Sequence, residues 1–190
     1  MLRERIRQGW DVNPELVARM QSGALVRDEV VDRLVEERLN QPDGASGFVL
    51  DGYPRTLVQA EHFRRWLDER GIREVVIYLA VDYNVVIARL TGRRQCPRCG
   101  TLYNILSQPP REDSLCDLDG EPLVIRNDDR EEVIRERLDA YERQTRPVLD
   151  FLRAAGRNVL EVDASSDPPD VVFQKIRRAM GTDDCSKNRR

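Results

Sequence analysis

Two matched knuckles, Cys96-Pro97-Arg98-Cys99-Gly100 and Cys116-Asp117-Leu118-Asp119-Gly120, read together as C-x2-C-x16-C-x2-D. Four donors in two tight pairs match the tetrahedral demand of a structural Zn2+ ion, and an aspartate oxygen is an acceptable fourth ligand. Glycine after each knuckle lets the backbone turn with positive φ close to the metal. With Cys96, Cys99, Cys116 and Asp119 filling all four positions, the site reads as structural rather than catalytic. The same donors accept iron, and Asp117 is a rival fourth ligand. Two competing readings are a chance C-x-x-C and a redox dithiol. A redox pair, however, opens a helix after a strand, whereas this one sits in a polar loop region. Cys185, near the end of the chain, reads as a free thiol.

The knuckles interrupt an alternation of helices and strands. Asn13-Pro14 caps a short helix to about Met20, and a second runs from Asp28 to Leu39 with Val30, Val31, Leu34 and Leu39 on its apolar side. Gly47-Phe48-Val49-Leu50 predicts a short buried parallel strand, closed by Asp51-Gly52. Thr56 caps a helix reaching about Arg70, where Gly71 ends it. Glu74–Val81 predicts another strand and Tyr83–Leu90 a helix. From Gly92 to Arg126 helical periodicity is lost, as expected of a small inserted unit. Asp128 then opens a long amphipathic helix, with a kink or break expected at Pro147. Asn158–Val162 predicts a third strand and Pro168–Met180 a last helix, followed by a frayed tail over 181–190. The pattern is that of an α/β domain with a parallel sheet flanked by helices: core over 1–91 and 128–180, insertion over 92–127.

Composition narrows the function. The 190 residues are 40% hydrophobic, enough for a real core, and the net charge of −3 argues against a general nucleic-acid binder. The longest apolar run, Val75–Val81, is far short of a bilayer span. The charged start Met1-Leu2-Arg3-Glu4-Arg5 lacks the apolar stretch of a secretory signal, so a cytoplasmic, reducing setting is expected. All but two of the 31 cationic side chains are arginine. A GC-rich genome explains most of that bias, but some arginines could form planar clamps for phosphate.

Asp51-Gly52-Tyr53-Pro54-Arg55 follows an apolar run, where ligands bind in open α/β sheets. Asp51 there can hold a hydrated Mg2+ ion and Arg55 can grip a phosphate; an ordinary turn with a salt bridge is the equal alternative. Arg89 and Arg93 stand four apart on one helix face and repel slightly unless an anion bridges them. With Arg126 and Arg137, they gather cations at both hinges of the insertion, although a solvated face explains any one of them alone.

Residues 47–61, Gly-Phe-Val-Leu-Asp-Gly-Tyr-Pro-Arg-Thr-Leu-Val-Gln-Ala-Glu, closely resemble the G-F-[IL]-L-D-G-[FY]-P-R-T-x-x-Q-A signature of the adenylate kinases. Thr91-Gly92-Arg93-Arg94 with the knuckles resembles the zinc-containing lid of the long bacterial type. Arg126-Asn127-Asp128-Asp129 and Arg137-Leu138-x-x-Tyr141 resemble the segment returning from it. The match runs from Met1 to about Met180. It implies a P-loop nucleoside-monophosphate-kinase fold and reversible phosphoryl transfer, MgATP plus AMP giving two ADP. By the same resemblance Arg3, Arg55, Arg126 and Arg137 hold the AMP phosphate and the transferring group. Arg93 joins Arg55, Arg126 and Arg137 as a catalytic residue. Gln59 reads the adenine of AMP, Ala24, Leu25 and Val26 line its pocket, and Gly52, Tyr53 and Pro54 border it. Arg89 and Arg93 contact ATP phosphates, Leu102, Tyr103 and Ser166 border the ATP base, and Asp51 holds Mg2+ through water. The implied enzyme is a cytoplasmic monomer acting on free nucleotides, with no nucleic-acid or membrane partner.

The family also begins with a strand, a G-x-x-G-x-G-K phosphate loop and a helix, and this sequence carries no G-x-x-x-x-G-K. Two expectations follow: Met1 is an internal methionine of a longer enzyme, which is preferred, or the chain is a shortened, catalytically inactive AMP- and zinc-binding module. A nucleic-acid-binding zinc ribbon is disfavoured because the inserted segment lacks a basic-aromatic surface.

Overall fold

The computed structural model describes residues 26–182. The helix expected around Asn13–Met20 lies outside them, as do Arg3, Ala24, Leu25 and Cys185.

Helix α1 spans Asp28–Leu39 and helix α2 spans Leu57–Glu69. Val35 and Leu39 of α1 bury themselves against Trp66 and Leu67 of α2, with Phe48, Leu50, Tyr53 and Phe63 packed around them. Burying each aliphatic or aromatic side chain of this kind stabilises the fold by roughly 1.5–3 kcal/mol. Thr56 caps α2 as its sequence position predicts: its backbone is extended and its Oγ1 accepts the Gln59 N–H at 3.2 Å. Gly71, at φ +62°, ends the helix in the left-handed conformation that favours glycine.

Strands β1 (Val75–Ala80) and β4 (Asn158–Asp163) pair in parallel, Val75 opposite Asn158 and Ala80 opposite Asp163. Helices cover both faces. Val76 and Val159 pack under Ala60 of α2 and under Val148 and Leu152 of helix α5 (Arg146–Ala154). On the other side Val162 meets Val172 and Ile176 of helix α6 (Pro169–Ala179). Gly47–Leu50 corrects the expectation of a strand. Among the described residues it makes no ladder pairing and β1 has a hydrogen-bonded neighbour on one side only; a 3-10 turn over Pro42–Ser46 precedes the segment. Phe48 and Leu50 still point into the α1–α2 core, while Val49 between them is 93% exposed.

Helix α3 (Tyr83–Thr91) starts at Asp82, whose carboxylate accepts the N–H groups of Asn84 and Val85. Strands β2 (Arg93–Gln95) and β3 (Leu102–Asn104) then pair antiparallel, and isolated bridges tie Gln95 to Val124 and Leu115 to Pro122. The chain returns through a 3-10 turn at Asn127–Asp129 into helix α4 (Glu131–Ala140), so the helix begins three residues later than Asp128 suggests. Before Pro147 the α-helical run is broken, as the sequence predicts. It widens into one π-turn, Tyr141–Thr145, where the Arg146 N–H donates to the Tyr141 carbonyl five residues back. Proline has no N–H and its ring collides with the carbonyl four residues before it; the widened turn relieves both.

Candidate functional site

Three of the arginines marked in the sequence meet on two neighbouring carboxylates. Arg93, at the start of β2, donates from Nε and a terminal nitrogen to both oxygens of Asp129, at 2.8 and 2.5 Å. Arg126 grips Asp128 the same way at 3.1 and 3.0 Å and reaches Asp129 at 4.0 Å. Arg137, from the last turn of α4, donates to the Asp128 carbonyl at 3.2 Å and stands 3.6 Å from the Asp129 carboxylate. The Asp129 side chain is wholly buried. Bidentate pairing of this geometry is the stronger kind, and it raises the Arg93 pKa above the ordinary guanidinium value. Burial lowers that of Arg137, and nearby Arg93 and Arg55 push it the same way while Asp128 and Asp129 oppose them. Arg137 is therefore close enough to Arg93 and to Arg55 to feel the charge of each.

Arg55 comes from the turn between the α1–α2 core and α2. Its Nε donates to the Gly52 carbonyl at 2.7 Å, and its own carbonyl accepts the Thr145 hydroxyl from the π-turn at 2.9 Å. Gly52 is glycine for a reason: at φ +72° a Cβ would lie 2.6 Å from the Arg55 guanidinium. The Tyr53–Pro54 peptide is cis. Tyr53 packs edge-on to Phe63 and donates its hydroxyl to Asp32 at 2.7 Å; burial and this bond push its pKa well up. Gln59, 3% exposed, accepts the Arg55 N–H on Oε1 at 2.8 Å and donates from Nε2 to Asp28 at 2.8 Å.

The remaining expected residues have partners and exposures of their own. Asp51 is exposed just before the turn, and Val26 is half-buried ahead of α1. Arg89 donates to the carbonyls of Ala164 and Ser165, beside exposed Ser166. The Arg89 carbonyl in turn accepts the Asn104 amide at the end of β3. Leu102 is exposed on β3, whereas the Tyr103 ring is turned into the inserted segment, its hydroxyl accepting the Asp117 N–H and lying 3.5 Å from Cys116 Sγ.

Cys96, Cys99, Cys116 and Asp119 bring one donor atom each to within 4.8 Å of one another. Cys99 and Cys116 sulfurs are 3.6 Å apart, and Cys96 Sγ lies 3.4 Å from Asp119 Oδ1. Gly100 and Gly120 take φ +79° and +69°, and their N–H groups close each knuckle onto the carbonyls of Cys96 and Cys116. Burial pushes the Cys96 thiol up to about 11. Burial therefore favours the neutral thiol, and a metal ion bound among these donors would supply the charge that holds Cys96 as a thiolate. The donor set fits a tetrahedral zinc site.

Sequence reasoning missed Asp28, Asp32, Asp128 and Asp129 as parts of the site. Asp128 and Asp129 carried the one usable signal, adjacent acids two and three residues after Arg126. Asp28 reads locally only as the start of a helix.

The family model described as adenylate kinase matches residues 1–157. The adenylate kinase of Moorella thermoacetica is 42% identical over 184 residues, covering 96% of this chain and 84% of its own. That of Pseudothermotoga lettingae is 43% identical over 161 residues, covering 84% and 73%. The archaeal one from Archaeoglobus fulgidus is 42% identical over 168 residues, covering 88% and 77%.

Proposed function

The chain belongs to the adenylate kinase family, and on that premise we propose how its own residues carry reversible phosphoryl transfer from MgATP to AMP. The observation that carries the reading is the convergence of Arg93, Arg126 and Arg137 on one carboxylate pair, with Arg55 close by. Phosphoryl transfer asks little covalent chemistry of a protein; it asks for in-line positioning and positive charge on the equatorial oxygens. Arg55, Arg126 and Arg137, with Arg3, hold the AMP phosphate and the group in flight, and Arg93 joins them from the ATP side.

Gln59 reads the adenine of AMP, in a pocket that Ala24, Leu25 and Val26 line and that Gly52, Tyr53 and Pro54 border. Arg89, already seated at the 164–165 carbonyls, turns to the ATP phosphates, with Leu102, Tyr103 and Ser166 around the ATP base. Exposed Asp51 is open to a hydrated Mg2+ ion, which when bound neutralises charge on the phosphates. Residues 92–127 form the lid, held in shape by Zn2+ at Cys96, Cys99, Cys116 and Asp119; closing it excludes water that would otherwise take the phosphoryl group. The enzyme works as a cytoplasmic monomer on free ATP, AMP and ADP.

Arg137→Ala tests the reading. A single arginine on the transferring group is worth about 10^3-fold in turnover in phosphoryl-transfer enzymes. The variant should lose activity on that scale in an ADP-formation assay while keeping its circular dichroism spectrum. Wild-type turnover would remove Arg137 from the site. A wild-type chain that binds AMP yet forms no ADP would favour the binding-module reading instead.

A further inference from the structure

Helix α1 presents acids at spacings of four, Asp28, Asp32 and Glu36, and each meets a partner from the Tyr53–Thr56 turn or α2. Glu36 pairs with His62 at 2.7 Å and Asp32 accepts the Tyr53 hydroxyl. Asp28 holds two partners at once: Oδ2 accepts the Thr56 hydroxyl at 2.9 Å and Oδ1 accepts Gln59 Nε2 at 2.8 Å. Thr56 Oγ1 in turn accepts the Gln59 N–H that begins α2. Gln59 is thus anchored at both ends of its amide, with the Arg55 N–H on Oε1 and Asp28 on Nε2.

The chemistry of those anchors is one-directional. A carboxylate only accepts and a backbone N–H only donates, so the amide has a single orientation. One Nε2–H and one Oε1 lone pair remain after both bonds are made. Adenine carries an amino donor where guanine carries a carbonyl acceptor, so a fixed donor–acceptor order separates them. Because Gln59 is buried, releasing one anchor leaves a polar group without its partner, a larger loss than the mean worth of a hydrogen bond.

We propose that Asp28 is a positioning residue for the acceptor nucleotide: by holding Gln59 Nε2, it fixes the donor–acceptor order of the Gln59 amide and thereby the preference for an adenine base. The proposal rests on the reading of Gln59 given above. It is tested by calorimetric titration of the 190-residue chain with AMP, GMP and ATP, comparing Asp28→Ala, Asp28→Asn, Gln59→Ala and the double variant. Asp28→Ala should weaken AMP about tenfold, as loss of a charge-assisted bond implies, narrow the AMP-over-GMP ratio, and leave ATP unchanged. Asp28→Asn should restore most of the loss, since its Oδ1 still accepts from Gln59 and its Nδ2 can turn to Thr56 Oγ1. In the double variant the Asp28 change should add nothing to Gln59→Ala. Where Asp28→Ala fails to fold, Asp28→Ser keeps a helix-start residue too short to reach Gln59 and should give the same shifts.

Equal weakening of AMP and ATP, or no rescue by asparagine, overturns the proposal. If Gln59→Ala shifts AMP binding but Asp28→Ala does not, the Gln59 reading stands and the proposal alone fails. If Gln59→Ala leaves AMP and GMP binding unchanged, both fail.

Discussion

Asp129→Ala isolates the interaction that holds the arginine cluster together. The Asp129 side chain is fully buried, both oxygens are taken by Arg93, and Arg137 and Arg126 stand 3.6 and 4.0 Å away. Removing one partner of a buried ion pair costs about 3–5 kcal/mol, because the other charge is left unpaired. Arg93 is 24% exposed and keeps some water, which places the loss near the lower bound, about 3 kcal/mol. For a chain of this length, each kcal/mol shifts the melting temperature by about 2–4 °C. Thermal unfolding followed by circular dichroism should therefore show a drop of roughly 6–12 °C. Asp129→Asn keeps the shape and one acceptor but turns an N–H toward the Arg93 fork, so it should fall between wild type and alanine. Inorganic phosphate should raise the melting temperature of Asp129→Ala more than that of the wild type, since an anion replaces the missing carboxylate. An alanine variant melting within about 2 °C of wild type would refute the reasoning, as would asparagine and alanine behaving alike.

Cys96→Ser should abolish metal content measured by atomic absorption and lower the melting temperature more than it lowers turnover at room temperature; an unchanged melting curve, with no metal in the wild type, would dispose of the zinc site. Asp32 has its pKa raised, chiefly by burial, although the Tyr53 hydroxyl opposes the shift. The folded state therefore holds its proton longer than the unfolded chain, and the protein loses stability as pH rises from the ordinary carboxylate range through the raised value. Asp32→Asn removes that loss, so its melting temperature relative to wild type should be more favourable at pH 7 than at pH 4; the opposite order would refute the assignment. Gly52→Ala forces a Cβ to 2.6 Å from the Arg55 guanidinium at φ +72°, at a backbone cost of about 1 kcal/mol. It should weaken AMP more than ATP in equilibrium titrations, and equal weakening would argue against a role for this turn in holding the acceptor.

What could be read from the sequence was local. The limits of α2 follow from Thr56 and Gly71 because a cap and a left-handed glycine act within one turn. The cluster of Cys96, Cys99, Cys116 and Asp119 was legible because each knuckle folds on itself, carbonyl to N–H, within five residues. Gly47–Leu50 shows where such reading stops. An apolar run tells that Phe48 and Leu50 are wanted in a core, which they are, but not whether a strand edge lies beside them. Pro147 announces a disturbed helix without saying that the break takes the form of a wider turn. The contacts that build the site are long-range: 36 positions separate Arg93 from Asp129, and 31 separate Asp28 from Gln59. Neither spacing has a local signature.

The carboxylates at 128 and 129 answer a problem that the arginines create. Cations gathered this closely repel one another, and Arg93 and Arg55 add to the burial that lowers the Arg137 pKa. Water could screen the cluster, but a hydrated site must reorganise when charge develops on the substrate. Asp128 and Asp129 instead hold the guanidiniums by fixed bidentate bonds, so the donors are already aimed while their net charge is held down. The same pair ties Arg93, at the root of the inserted segment, to the turn by which that segment returns to α4. Orientation of the arginine cluster and anchorage of the strand that Arg93 opens thus rest on one buried side chain, and a substitution at Asp129 must disturb both together.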